Sequence, residues 1–198
     1  MRKIILGLCL LILAVSLNAE GKLLFDLKAQ YFSKTLAKEK SKDYTKHGKY
    51  NLPNVIVDTS MTFNGKTYSN GDMTITLKKP VVNWAIIQSF KAKNNDYNRY
   101  GDTVFRISST SGNAFYVTVM DDHIAVNGND FEVGNTKYKK IVIDVVKSES
   151  KFVAKINGSV FLTTKIDNFG KLYKIETMSK QGGSNTFDYI SALEIYSK

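Results

Sequence analysis

From Asn54 to the end of the chain, apolar and polar residues alternate with a period of two. Turn chemistry interrupts the alternation roughly every eight to twelve residues, the spacing of short strands in sandwiches and barrels. Such alternation sends successive side chains to opposite faces of a strand. Residues 55–63 form a β-branched run closed by Asn64-Gly65, and Asn70-Gly71 leads into an alternating segment over 73–77. Asn-Gly pairs supply the positive φ of tight hairpin turns. Trp84, Ile86 and Phe90 fall on one strand face with Gln88 between them, which predicts a core role for Trp84.

The pattern then predicts a polar loop over 94–102 and strands over 103–108 and 114–120, joined by the loop 109–113; Phe115, Val117 and Val119 share a face. A short hairpin follows at 123–133, turning at Asn127-Gly128, and then a strand over 140–146. Segment 152–164 turns at Asn157-Gly158. That turn predicts Phe152, Ala154 and Ile156 on the face of Phe161, with Val153 and Lys155 on the face of Leu162. Strands over 172–178 and 187–196 complete the series, with Phe187, Tyr189, Leu193 and Ile195 predicted on one face and Ser191 between them. Pro53 and Pro80 both fall at predicted strand entrances, where a missing N–H is tolerated. Before this series the pattern is less decisive. Leu24, Leu27 and Tyr31 fit a helical face, while 23–27 equally fits an edge strand, and the Lys-rich stretch 38–49 reads as an exposed connection. The expectation is all-β: a two-sheet antiparallel sandwich forming one domain, 54–198 together with 20–53.

The first residues add a compartment. Arg2 and Lys3 precede an apolar run over 4–17, and the small residues Ser16, just outside the usual minus-three position, and Ala19 suggest cleavage after Ala19. This is the layout of a secretory signal peptide over 1–19. The run is shorter than the roughly 20 apolar residues of a spanning helix, and no later stretch approaches that length, so no integral membrane segment is expected after cleavage. Leu8 ahead of Cys9, and the apolar run past it, argue against lipoprotein processing. Cys9 is the chain's one cysteine, so the mature domain must stand on its core without disulfides. About 150 residues already bury two-thirds of their unfolded surface, so its length suffices.

The formal charge is +10, and the signal removes only two of 28 basic residues and none of 18 acidic ones. A periplasmic or secreted basic domain is drawn to anionic polysaccharide, lipid head groups or cell-wall polymers. That compartment disfavours nucleic acid. A solvated Lys-rich surface with no such partner explains the same charge.

Three segments carry a family resemblance. Met61-Thr62-Phe63-Asn64-Gly65, followed by Met73-Thr74-Ile75 and the span from Trp84 to Phe90, resembles the early strands of laminin G-like and concanavalin A-like jelly rolls. Val153-Ala154-Lys155-Ile156-Asn157-Gly158 resembles their "v-x-v-x-G" hairpin, and the stretch from Phe187 to Tyr196 resembles their closing strand, with Tyr189 where glycine is usual. The resemblance implies a jelly-roll sandwich with one concave sheet. It also implies ligand binding there or at rim loops, in glycan binding, protein adhesion or polysaccharide cleavage.

No Glu-x-Asp-x-x-Glu run supplies the paired carboxylates of a glycosidase. Asp121-Asp122 has the wrong spacing, as has Asp188 with Glu194. Arg99 and Arg106, the arginines left after Arg2, sit in no lyase motif, and His47 and His123 lie far apart without thiols. The loop 94–102 is the sugar-binding candidate. Tyr97 and Tyr100 suit stacking on pyranose rings, and Asn94, Asn95, Asn98 and Arg99 suit hydroxyls; the alternative is that both tyrosines cap the core. Calcium is the one cofactor considered, through Asp96 and Asp102 or through Asn129 and Asp130, although such clusters are also ordinary turn chemistry. Lys155, Lys165, Lys171 and Lys174 fit either one basic patch or edge-blocking lysines. The expected function is a non-catalytic exported module for carbohydrate or cell-envelope polymer. A protein-interaction or adhesion domain is the alternative, and polysaccharide cleavage requires Asp121, Asp122, His123 or Glu194 to converge in one cleft.

Overall fold

The computed structural model describes residues 21–27, 48–63, 68–69, 71–92, 102–119, 123–127, 129–132, 140–179 and 187–198. In chain order the strands are β1 (Lys22–Asp26), β2 (Gly48–Asn51), β3 (Val55–Thr59), β4 (Thr62–Phe63), β5 (Tyr68–Ser69) and β6 (Gly71–Val81). Then come β7 (Trp84–Ala92), β8 (Asp102–Ser109), β9 (Ala114–Val119), β10 (His123–Val126) and β11 (Asn129–Glu132). The series closes with β12 (Lys140–Ser148), β13 (Lys151–Ile156), β14 (Ser159–Lys165), β15 (Leu172–Ser179) and β16 (Phe187–Ser197). They form two eight-stranded antiparallel sheets. The front sheet runs β11-β10-β9-β8-β15-β6-β3-β2, and the back sheet runs β14-β13-β12-β7-β16-β5-β4 with β1 also on β16. Among the described residues no helix is long and apolar enough to cross a membrane.

Alternation fills the space between the sheets. Val55, Val57, Met73, Ile75, Ile107, Phe115, Val117 and Ile175 point inward from the front sheet, and Trp84, Ile86, Ile143, Val145, Phe152, Ala154, Leu193 and Ile195 from the back. Trp84 is fully buried, as its pattern predicts. Its ring meets Phe152 edge-on at 5.8 Å, and Phe152 stacks on Phe115 of the opposite sheet at 5.6 Å and meets Phe169 at 4.9 Å. Each such pair adds about 0.5–1.5 kcal/mol beyond the area it buries. A polar link crosses the core: Gln88 Nε2 on β7 donates to Thr177 Oγ1 on β15 at 2.9 Å, with both side chains fully buried.

Several sequence expectations are corrected here. Residues 55–63 are two strands, because the chain changes sheets at Ser60-Met61. Ser60 N donates to Asp72 O, Met61 N donates to Thr59 Oγ1, and Met61 is buried. Gly71 lies so close to this crossing that a Cβ there would meet Ser60 backbone atoms at 2.6 Å, so the position requires glycine. Pro80 lies near the end of β6 rather than at its start. There the ladder to β15 jumps from Thr76↔Lys174 to Val81↔Leu172, so its missing N–H breaks no pair.

The helical option for Leu24 and Leu27 fails, since β1 is extended along β16 with Phe25 and Leu27 buried. The end of the expected Lys-rich connection is strand β2, whose Tyr50 is buried. Asn157 and Gly158 do form the turn, both at positive φ. However, Phe161 is an extra residue in β14, so Ala154 pairs with Leu162 rather than sharing a face with Phe161. A second shift at Ser191 puts Ile190 inward with Leu193 and Ile195; the side chains of Phe187 and Tyr189 lie outside the described residues.

Candidate functional site

Because Met73, Ile107, Phe115, Val117, Ile175 and Thr177 face inward, the residues between them form the outer face of the front sheet. The register aligns them in one row across six strands: Lys49, Asp58, Thr74, Glu176, Arg106 and Tyr116 are successive cross-strand partners. Directly opposed side chains on one face lie about 4.5–5.5 Å apart at Cβ, close enough to interact. A groove of about 340 Å³ opens over the middle of this row, lined by Asp72, Met73, Thr74, Arg106, Tyr116, Glu176 and Thr177.

Glu176 is the electrostatic centre of the groove. Lys174 Nζ donates to its Oε1 at 3.0 Å, and Arg106 Nε lies 3.8 Å from its Oε2. The second contact is an ion pair beyond hydrogen-bond reach, and Oε2 is shielded from solvent with no hydrogen-bond partner. The Arg106 guanidinium also sits over the Tyr116 ring, 5.3 Å from its centroid. Tyr116 is 40% exposed, one of few large apolar side chains at the surface. Its backbone is fixed by Asn127, at positive φ in the β10–β11 turn, whose Oδ1 accepts from Tyr116 N at 2.8 Å. The groove therefore offers an exposed aromatic ring, guanidinium donors, the Thr74 hydroxyl and carboxylates. That set suits a polyhydroxylated ligand.

The outer face of the back sheet is a different surface. Tyr196 OH donates to Glu194 Oε2 at 2.5 Å, and this bond, with burial, pushes the phenol up to about 12. Burial likewise raises Asp144 above the usual carboxylate range, opposed by the nearby charges of Lys155 and Lys198.

Of the residues singled out from sequence, Asn94, Asn95, Asp96, Tyr97, Asn98, Arg99 and Tyr100 lie outside the described residues, as do Asp121 and Asp122. Asp102 opens β8, and Asn129 and Asp130 open β11, paired to Val126 and Ala125. β9 and β10 separate these two strands, which puts their backbones roughly 14 Å apart at about 4.8 Å per strand. The strands β8 and β11 are thus separate, and the side chains of Asp102, Asn129 and Asp130 lie outside the described residues. Among the described residues no three Asp, Glu or His groups converge on a metal-sized site.

The four lysines do not form one patch: Lys155 and Lys165 belong to the back sheet, whereas Lys171 and Lys174 lie on or beside β15 of the front sheet. His123 and Glu194 are likewise divided between the two sheets. Sequence reasoning missed the Arg106–Tyr116–Glu176 grouping. The symmetric hairpin around 109–113 already implies that Arg106 faces Tyr116, but the pairing of Glu176 with Arg106 joins strands 70 residues apart and leaves no local signal.

No protein-family model matches the chain, and no curated protein matches it in sequence. Solved structures do match. The metal-free carbohydrate recognition domain of Emp46p is similar over 79% of this chain and 92% of its own, at 10% identity and a TM-score of 0.54. The apo Crh5 transglycosylase is similar over 78% of this chain and 82% of its own, at 11% identity and the same TM-score. The chain shares with them the concanavalin A-like jelly-roll fold that its sequence motifs resemble.

Proposed function

We propose that the protein is an exported, periplasmic or secreted module that binds a glycan on the outer face of its front sheet without cleaving it. The observation that carries this reading is the groove in which Arg106, Tyr116 and Glu176 meet. An exposed ring beside a cation and hydroxyl-binding groups matches the surface of a sugar, which offers C–H faces and hydroxyl edges. Emp46p's domain, named for carbohydrate recognition, shares the fold. The direct test is a thermal-shift screen against neutral and acidic glycans, since a ligand bound only by the native state raises its melting temperature. Arg106→Ala with Tyr116→Ala abolishes the shift; the unliganded melting temperature falls somewhat, because Glu176 Oε2 loses the charge facing it, but the variant still unfolds cooperatively. A shift that survives both changes refutes the site.

One observation favours a second reading. Asp72 and Glu176 line the same groove from adjacent strands as diagonal neighbours, since Glu176 pairs with Thr74. Diagonal positions are about 7–8 Å apart at the backbone, from which two carboxyl groups can reach the roughly 6.5–9.5 Å spacing of inverting glycoside hydrolases. Release of reducing ends from a bound glycan, lost in Glu176→Gln, would establish that reading in place of simple binding.

A further inference from the structure

We infer that the groove selects an uncharged glycan, with Glu176 as the gate that rejects acidic ones. This rests on the binding reading above and adds the class of ligand. The chain as a whole is strongly basic, yet the groove is not: Asp72 and Glu176 balance Arg106 and Lys174. Both cations are already engaged. Lys174 holds Glu176 Oε1, and Arg106 is the charge facing Oε2 while also covering Tyr116.

An acidic sugar that pairs closely with Arg106 competes with Glu176 for its charge. Oε2 is sealed from solvent and accepts no hydrogen bond, so losing Arg106 leaves a buried carboxylate oxygen uncompensated, a costly state. The incoming carboxylate also meets Glu176 and Asp72 as like charges. A neutral hydroxyl avoids both penalties. It accepts from the outward N–H groups of Arg106 and donates to Thr74 or to Asp72 while the Arg106–Glu176 pair stays in place.

The test is an array of oligosaccharides in matched pairs, each neutral chain beside the counterpart oxidised to a C6 carboxylate, probed with the purified protein at low salt and at about 0.5 M salt, where exposed charges are screened. The wild-type protein is expected to bind neutral members at least about tenfold more tightly than their acidic partners, with little change in salt. Glu176→Gln is expected to free Arg106 and raise binding to acidic members about tenfold, a gain that high salt removes. Asp72→Asn, at an exposed position, moves the ratio the same way and serves if Glu176→Gln fails to fold. Acidic members bound as well as neutral ones by the wild type, or no gain in either variant, would overturn the gate while keeping the glycan reading. An array silent for every pair refutes the glycan reading itself.

Discussion

Replacing Thr177 by valine removes the hydroxyl that accepts from Gln88 Nε2 and keeps the shape of the side chain. Gln88 is fully buried and its Oε1 already lacks a partner, so the substitution strands the whole amide between the sheets. An unsatisfied buried polar group costs about 1–3 kcal/mol. For a domain of this size each kcal/mol moves the melting temperature by about 2–4 °C, so a cost near 2 kcal/mol lowers it by about 4–8 °C. Gln88→Leu, similar in volume, removes the amide and with it the stranded Oε1. In the double variant no amide remains to be stranded, and the loss is smaller than the sum of the single changes. Urea denaturation of all four proteins closes the cycle, with an expected coupling of about 1–2 kcal/mol. Strictly additive costs would refute the idea that this bond ties β7 to β15.

Three further outcomes follow from the packing and the charges. Phe152→Ala removes the ring shared by Trp84, Phe115 and Phe169 and is expected to cost about 3–5 kcal/mol, read as a lower urea midpoint. Asp144 is harder to ionise folded than unfolded, so at neutral pH its charge works against the fold; Asp144→Asn should raise the melting temperature at pH 7 and leave it unchanged near pH 3, where both states are protonated. Tyr196 has the opposite pH window: its raised phenol favours the fold below the ordinary tyrosine pKa near 10, and that contribution is lost as pH climbs toward 12. Ultraviolet titration should show a late-ionising phenol that disappears in Tyr196→Phe.

Local periodicity made the strands legible, because a half-buried strand writes its burial every second residue. It named Trp84 and Ile86, the Asn157-Gly158 turn, and the Phe115–Val117 face correctly. It failed where one residue changes the count. Phe161 and Ser191 each shift the register, and a single extra residue reverses every face assignment beyond it. It also failed at Ser60-Met61, where a β-branched run conceals a change of sheet that depends on Asp72. The candidate site was legible only as far as one hairpin reaches. Arg106 and Tyr116 flank the same turn, whereas Glu176 arrives through the insertion of β15 between β8 and β6, a topological fact no short motif records.

That same kind of insertion governs how the back sheet is assembled. β16, the last strand in the sequence, lies between β7 and β5 and also takes β1, so Lys22 pairs with Ser197. The meander of β7 with β12, β13 and β14 needs only shorter-range contacts. By contrast, β1 and the β4–β5 hairpin have no sheet to join until β16 docks on β7. Such closing contacts span nearly the whole chain, which places the protein among slow folders whose rate is set by loop closure. Refolding followed by hydrogen exchange should therefore protect β12 and β13 early and β1 last. A chain lacking β16 should be left with a partial sheet and exposed strand edges, a state prone to aggregation.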